Sequence, residues 1–415
     1  MVLGWPSPAT HTIAMELPFT LPSGRTASRN GTVEMWIVAA GFCALWLMLG
    51  WRVLDLARVH DFLAMYSGAY LTSHGLVAKL YDPAAQLAVQ KIFVPTNVQL
   101  VPFVRPPFYA LLLAPLAWLP FRAAFVCWIL LQIGVLTACW AWAWQRFGAP
   151  AVVFGCMSMP AALGIAHGQD CVVFLAVLIA SYALTEANKE FTSGLVLGLL
   201  LVKFHLTFLW PVALILQRRW KALAGFLTTA AATAGISLAI VGADGARRYA
   251  ALLQNHSLAW LLPSPEFMIS FQGLAANFGV TSMPAQAALV AAVVTVLLGA
   301  LWHAPLWRAY AATTAASLLV APHVYGYDAA MLVLGLWLAA FRAGNRSTRM
   351  VALWLFTPLP FAFTLVGKPW AAVSSLSLLG LLLALAAEAG RLWRASTPEG
   401  SVAVPTRAVP ILGGG

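Results

Sequence analysis

Asp61 is a carboxylate at the edge of a long apolar run, with Asp55, Arg58 and His60 just before it. An acidic side chain at the rim of a bilayer is costly unless it serves a function or has a partner. If the preceding helix continues outward, Arg58 and Asp61 stand at i, i+3 and share a surface. An Arg neighbour keeps a carboxylate ionised, as a general base must be. The same residues also fit a solvated helix end with a weak ion pair. Lys203 and His205 interrupt the run Leu199 to Val202, just ahead of Leu206 to Pro211. A cation there either snorkels to an interface or receives an anionic head group, and Lys suits phosphate as a point charge. His167-Gly168-Gln169-Asp170 lies between two apolar runs and reads as a polar turn or as part of a site. Pro322-His323-Val324-Tyr325-Gly326-Tyr327-Asp328 is a similar break, where His323 either bonds a phosphate oxygen or serves the helix end. Arg105 precedes Pro106-Pro107, which fix the start of the next helix. It is held there to clamp a phosphate or to anchor that helix.

Other chemistries leave no trace. The chain has no D-x-D pair, Walker loop, G-x-S-x-G or H-E-x-x-H. A nucleotide-sugar enzyme built on a metal-chelating acidic pair is therefore disfavoured, and no metal site or cofactor is expected. The five cysteines, Cys43, Cys127, Cys139, Cys156 and Cys171, form no C-x-x-C pair and read as buried free thiols.

These polar breaks must be held by helices in lipid. Of 415 residues, 61% are hydrophobic and only 9% charged, against about a quarter charged in soluble domains. The fold class is all-α and polytopic. Helices are expected near 34–53, 107–119, 121–145, 150–166, 171–186, 192–216, 221–242, 285–302, 306–321, 327–341, 348–366 and 370–393, about ten to twelve crossings. Trp36, Trp51, Trp118, Trp210, Trp220, Trp370 and Trp393 lie near the ends of runs, as an interfacial belt requires. The net charge of +11 fits anchoring to anionic lipid, with membrane lipids as partners and no nucleic acid.

The basic segments Arg218-Arg219-Trp220-Lys221, Arg342 to Arg349, and Arg391 with Arg394 are expected to be cytoplasmic. With the amino terminus inside, loop 54–106 lies outside, and five runs then bring the chain inside at Arg218. Residues 1–33 read as a cytoplasmic tail, 34–395 as the membrane domain and 396–415 as a disordered tail. Loops 54–106 and 243–284 are both longer than ordinary connections and extracytoplasmic. The 84–93 portion has helical spacing and is expected to lie on the membrane surface.

In this order the motifs resemble glycosyltransferase family 87. The series is Asp61 with Tyr66, Gly75 before Leu80-Tyr81-Asp82-Pro83, and Pro106-Pro107-Phe108 with Ala114-Pro115-Leu116-Ala117-Trp118-Leu119-Pro120. It continues with Gly168-Gln169, Gly194 to Leu199 leading to Lys203, Arg218-Arg219-Trp220 and Pro322-His323. The resemblance implies a type C glycosyltransferase fold and a polyprenyl-phosphate sugar donor, with mannose as the sugar. It implies Asp61 as general base and Lys203 and His323 near the donor phosphate, while Tyr81 and Pro106 match structural positions. Two positions depart from the pattern. Arg105 stands where an aromatic is common, and Asp170-Cys171 follow the Gly-Gln pair where a small apolar residue and Asn are common.

The expected function is therefore inverting transfer of a hexose to a lipid or glycan hydroxyl, at the extracytoplasmic face of the cell (inner) membrane. Arg105 and His205 join Lys203 and His323 as expected phosphate contacts. Arg58, His60, Tyr66, Gln169, Asp170 and Asp328 are the expected substrate contacts. The alternative is a transporter or flippase of a lipid-linked or small polar substrate, but a partner for Lys203 and His205 in a matching half is not found.

Overall fold

In the computed structural model, residues 29–56, 61–95, 99–254 and 264–396 are described, and within them the chain is helical. Four helices are long and apolar enough to cross a membrane, or six if two bent pairs each count as one span. That is fewer than the ten to twelve crossings expected. The remaining apolar runs are helices too, but short or broken at Pro, Gly or Lys203.

One end of the bundle is closed by ion pairs between the ends of several helices. Arg146, near the end of Phe121–Phe147, and Arg342, ending Val333–Arg342, both meet Glu186 at the end of Cys171–Glu186, at 2.5 and 3.8 Å. Glu388 of Ala372–Ser396 accepts from the Gly344 amide at 2.8 Å. Two segments expected to be cytoplasmic, Arg342 to Arg349 and the one that follows Glu388, thus share one end. Asp170 begins the 16-residue helix that Glu186 ends, so the two stand about 24 Å apart at ~1.5 Å per residue.

Two expected crossings do not cross. The 107–119 run breaks at Pro115 into Pro107–Leu113 and Ala114–Trp118. The Arg105 carbonyl before it accepts from Tyr81, and the Leu119 carbonyl after it accepts from Tyr66. Both ends therefore stay with the first-loop helices. The 192–216 run is a hairpin of Glu190–Leu197, Gly198–Leu206 and Leu209–Leu216. Its feet are tied by Arg219 to Glu190 at 2.7 Å. The two differences compensate, so Arg218 still falls where the count by runs puts it. Gly168-Gln169-Asp170, however, moves to the same end as Arg105.

The first loop is built of Asp61–Ser73, Val77–Lys79 and Pro83–Phe93. Asp82 caps the last of these, accepting from the amides of Ala84 and Ala85. Asp61 is the first residue of the helix Asp61–Ser73. The expected second loop is in part helix. Trp220–Leu253 kinks at Gly242, whose φ of 66° suits glycine, and runs on to Tyr249, whose ring centre lies 4.6 Å from that of Tyr81. Trp118, Trp220 and Trp370 are exposed as a belt requires, whereas Trp210 is core.

Candidate active site

The far end of the bundle gathers polar residues from five segments. Gly168 ends the Met159–Ala166 helix in a left-handed turn, with φ 67°. A Cβ there would stand 2.7 Å from the Cβ of Phe62, so glycine lets this turn press against the residue beside Asp61. Trp128 fixes the turn by donating to the Gly168 carbonyl at 2.8 Å. Gln169 and Asp170 follow at the start of Cys171–Glu186.

Lys203 sits at the break in the hairpin, with φ −115° and ψ 66°. The hairpin reaches it by close packing. A Cβ on Gly194 would lie 1.9 Å from the Ala222 carbonyl oxygen, and one on Gly198 would lie 2.6 Å from the Thr229 Cβ. That is the physical content of the Gly194 to Lys203 motif. The Lys203 Nζ donates to Asp328 Oδ1 at 2.6 Å, Gln169 Oε1 at 3.1 Å and Cys171 Sγ at 3.4 Å, and lies 3.4 Å from Asp170 Oδ1. The rings of Tyr327 and Phe174 flank it at 5.5 and 5.7 Å. Asp328 stands at the start of Gly326–Leu332, its Oδ2 accepting from the Tyr325 amide at 3.0 Å.

Arg105 completes the network. Its Nη2 donates to both Asp170 Oδ1 at 3.0 Å and Gln169 Oε1 at 3.1 Å. Two cations and two carboxylates are thus buried together, each offsetting the desolvation of its neighbours. The Lys203 donors are engaged within the protein, with Asp328, Gln169 and Cys171. Arg105 differs. One nitrogen makes both bonds, and Nε and Nη1 have no partner among the described residues. Its side chain keeps 11% exposure, against 4% for Lys203.

His205 and His323 come together beside this network, ring centroids 6.3 Å apart, and Tyr325 lies 4.9 Å from His323. Asp61, half-buried, opens the helix whose next residue, Phe62, packs on the Gly168 turn that leads into Gln169 and Asp170. The structure therefore brings together Asp61, Arg105, Gln169, Asp170, Lys203, His205, His323 and Asp328. Tyr66 is a correction. It is buried among Phe62, Phe93 and Phe121, its hydroxyl spent on Leu119, so it supports the site by packing. Arg58 and His60 lie outside the described residues. Cys171, a buried free thiol as expected, is an additional member, 3.4 Å from both Lys203 and Asp328. Its only sequence signal is its place directly after Asp170.

An apolar groove of about 470 Å³ adjoins the polar cluster. Pro106, Pro107 and Phe108 form one wall and Leu201 and Phe204 another, with Ala230, Ala234 and Ser237 of the Trp220–Leu253 helix behind them. Phe204 and Leu238 on its rim are exposed, as on a lipid-facing surface.

A bundle of apolar helices carrying a charged, half-open cluster at one end defines a polytopic membrane protein with an enzyme-like site. The profile of glycosyltransferase family 87 matches residues 103–335, more than half of the sequence, and the chain belongs to that family. It is a membrane glycosyltransferase. No curated protein and no solved structure matches it. The matched stretch holds Arg105, Gln169, Asp170, Lys203, His205, His323 and Asp328, whereas Asp61 precedes it.

Proposed function

We propose that this transferase moves a hexose from a polyprenyl phosphate to a hydroxyl of a lipid or glycan. Mannose is the sugar the family resemblance implies. The observation that carries the reading is the pair of unengaged Arg105 nitrogens, Nε and Nη1, on a residue followed directly by the prolines that wall the apolar groove. A donor with a long hydrocarbon tail and a phosphate head fits that juxtaposition. The tail lies along the groove and the phosphate meets the guanidinium, whose free Nε and Nη1 are each a charged donor for a phosphate oxygen.

Asp61 is the proposed base, beside the Gly168 turn that leads into Gln169 and Asp170. It takes the proton of the acceptor hydroxyl as that oxygen bonds to the anomeric carbon. The bond from that carbon to the phosphate oxygen breaks, and the phosphate leaves with the electron pair. Attack opposite the leaving group inverts the centre. Arg105, His205 and His323 stabilise the departing charge, while Lys203 holds the frame. Gln169, Asp170 and Asp328 shape the site through their bonds to the two cations.

The face of the membrane follows from charge. Arg146, Arg219 and Arg342 share the end opposite Asp170, and basic ends stay in the cytoplasm. This favours an extracytoplasmic site in the cell (inner) membrane. The test is the purified chain in proteoliposomes with lipid extract and either labelled polyprenyl-phosphate mannose or labelled nucleoside-diphosphate mannose. Transfer from the first donor is expected. Transfer from the nucleotide donor alone overturns the donor assignment, and label crossing the bilayer without a new glycosidic bond would favour the transporter.

A further inference from the structure

Residues 100–106, which deliver Arg105, have no regular secondary structure except a bend at Arg105, and no neighbouring strand pairs with them. Their backbone is bonded instead by side chains. Gln90 donates to the Val101 carbonyl at 2.6 Å and accepts from the Val101 amide at 3.0 Å, as a strand partner would. Gln86, one turn earlier on the same helix, accepts from the Phe103 amide at 2.8 Å and donates to the Leu80 carbonyl at 2.7 Å. Tyr81 then takes the Arg105 carbonyl at 2.7 Å. The bonded positions are 101, 103 and 105, the alternation of an extended chain. Both glutamines are fully buried. Such an amide is expensive to place unless its bonds are made.

Gln90 also donates to Ser67 Oγ at 3.3 Å, on the helix that Asp61 opens. One side chain thereby ties the segment carrying Arg105 to the helix carrying Asp61. Below Ser67, Gly68 leaves room for the Phe103 ring, which a Cβ would approach to 2.7 Å. The segment is seated against that helix from both sides.

We propose that Gln86 and Gln90 are positioning residues that set the place of the Arg105 guanidinium relative to the Asp61 carboxylate. Their function is exerted through Arg105, and neither touches substrate. The pair acts as a substitute strand, and the spacing of one helical turn matches two residues of extended chain. This inference rests on the proposed donor for its kinetic consequence but not for its geometry.

The experiment uses the full chain in lipid nanodiscs, as wild type, Gln86→Ala, Gln90→Ala, Arg105→Ala and the double variant Gln86→Ala/Arg105→Ala. Amide hydrogen exchange reads the clamp without any substrate. Exchange at Val101 is expected to speed up in Gln90→Ala, and at Phe103 in Gln86→Ala, each with residues 107–113 unchanged. The probe for kinetics is polyprenyl-phosphate mannose. Each glutamine variant is expected to raise its KM roughly tenfold, the worth of about one charged contact, with kcat changed less. In the Arg105→Ala background Gln86→Ala is expected to add nothing further. Unchanged exchange at 101 and 103 overturns the clamp. Multiplying effects in the double variant overturn the route through Arg105. If wild type transfers no polyprenyl-linked sugar, the donor reading fails, and the exchange measurement still decides the clamp.

Discussion

Replacing Lys203 by methionine keeps the aliphatic stem and removes the charge. In the folded protein the Lys203 Nζ lies 2.6 Å from Asp328 Oδ1 and 3.4 Å from Asp170 Oδ1, and all three side chains are buried. Without it two carboxylates share one guanidinium, that of Arg105. Breaking a buried pair by deleting one partner costs about 3–5 kcal/mol. Replacing the pair as a unit is far cheaper, because no charge is left unmatched. Beyond what Lys203→Met already removes, Lys203→Met/Asp328→Leu loses the acceptor for the Tyr325 amide and the Cys171 thiol, together worth about 1–2 kcal/mol. The double variant is thus expected to regain about 2 kcal/mol or more over the single. The assay is the temperature at which half the protein survives as a monodisperse peak in detergent. Lys203→Met is expected to lower that temperature by about 5 °C or more, with the double variant recovering part of the loss. A single variant as stable as wild type, or a double less stable than the single, would refute the reasoning.

Gly194→Ala puts a methyl group 1.9 Å from a backbone oxygen of the Trp220–Leu253 helix, and is expected to cost about 1–3 kcal/mol. Folded yield checks it, and an unaffected yield would show that the hairpin can shift. Ala234→Phe fills the groove and is expected to raise KM for a long-chain polyprenyl donor about tenfold, while a two-isoprenoid donor is affected less. Equal effects on both chain lengths would remove the groove as the tail site. In a cysteine-free background, Ser73→Cys is expected to react with a membrane-impermeant maleimide on intact cells and Ser347→Cys only after lysis. The reverse pattern would invert the assigned orientation.

Most helices were legible because apolar runs end at polar or proline residues. Cys171–Glu186 and the start at Pro107 were read to the residue. The hairpin at Glu190 to Leu216 was not, because 192–216 is long enough and apolar enough to cross. Its return is enforced by Gly194 against the Ala222 backbone and by Gly225, on the later Trp220–Leu253 helix, against the Phe191 backbone. The members of the site were legible one by one as polar breaks in oily runs. Their pairing was not, since it joins residues more than a hundred positions apart, as in Lys203 to Asp328. It also explains the two departures from the family pattern, which touch each other: Arg105 meets Asp170 at 3.0 Å. A cation exchanged for an aromatic here needs a carboxylate opposite it.

The central claim is that Asp61 takes the acceptor proton in sugar transfer. Its most direct test is single-turnover transfer from polyprenyl-phosphate mannose by Asp61→Asn, with donor binding measured on the same sample. The account predicts a rate lower by at least about 10²-fold, with donor affinity within about threefold of wild type. An Asp61→Asn variant that turns over within about tenfold of wild type would contradict it.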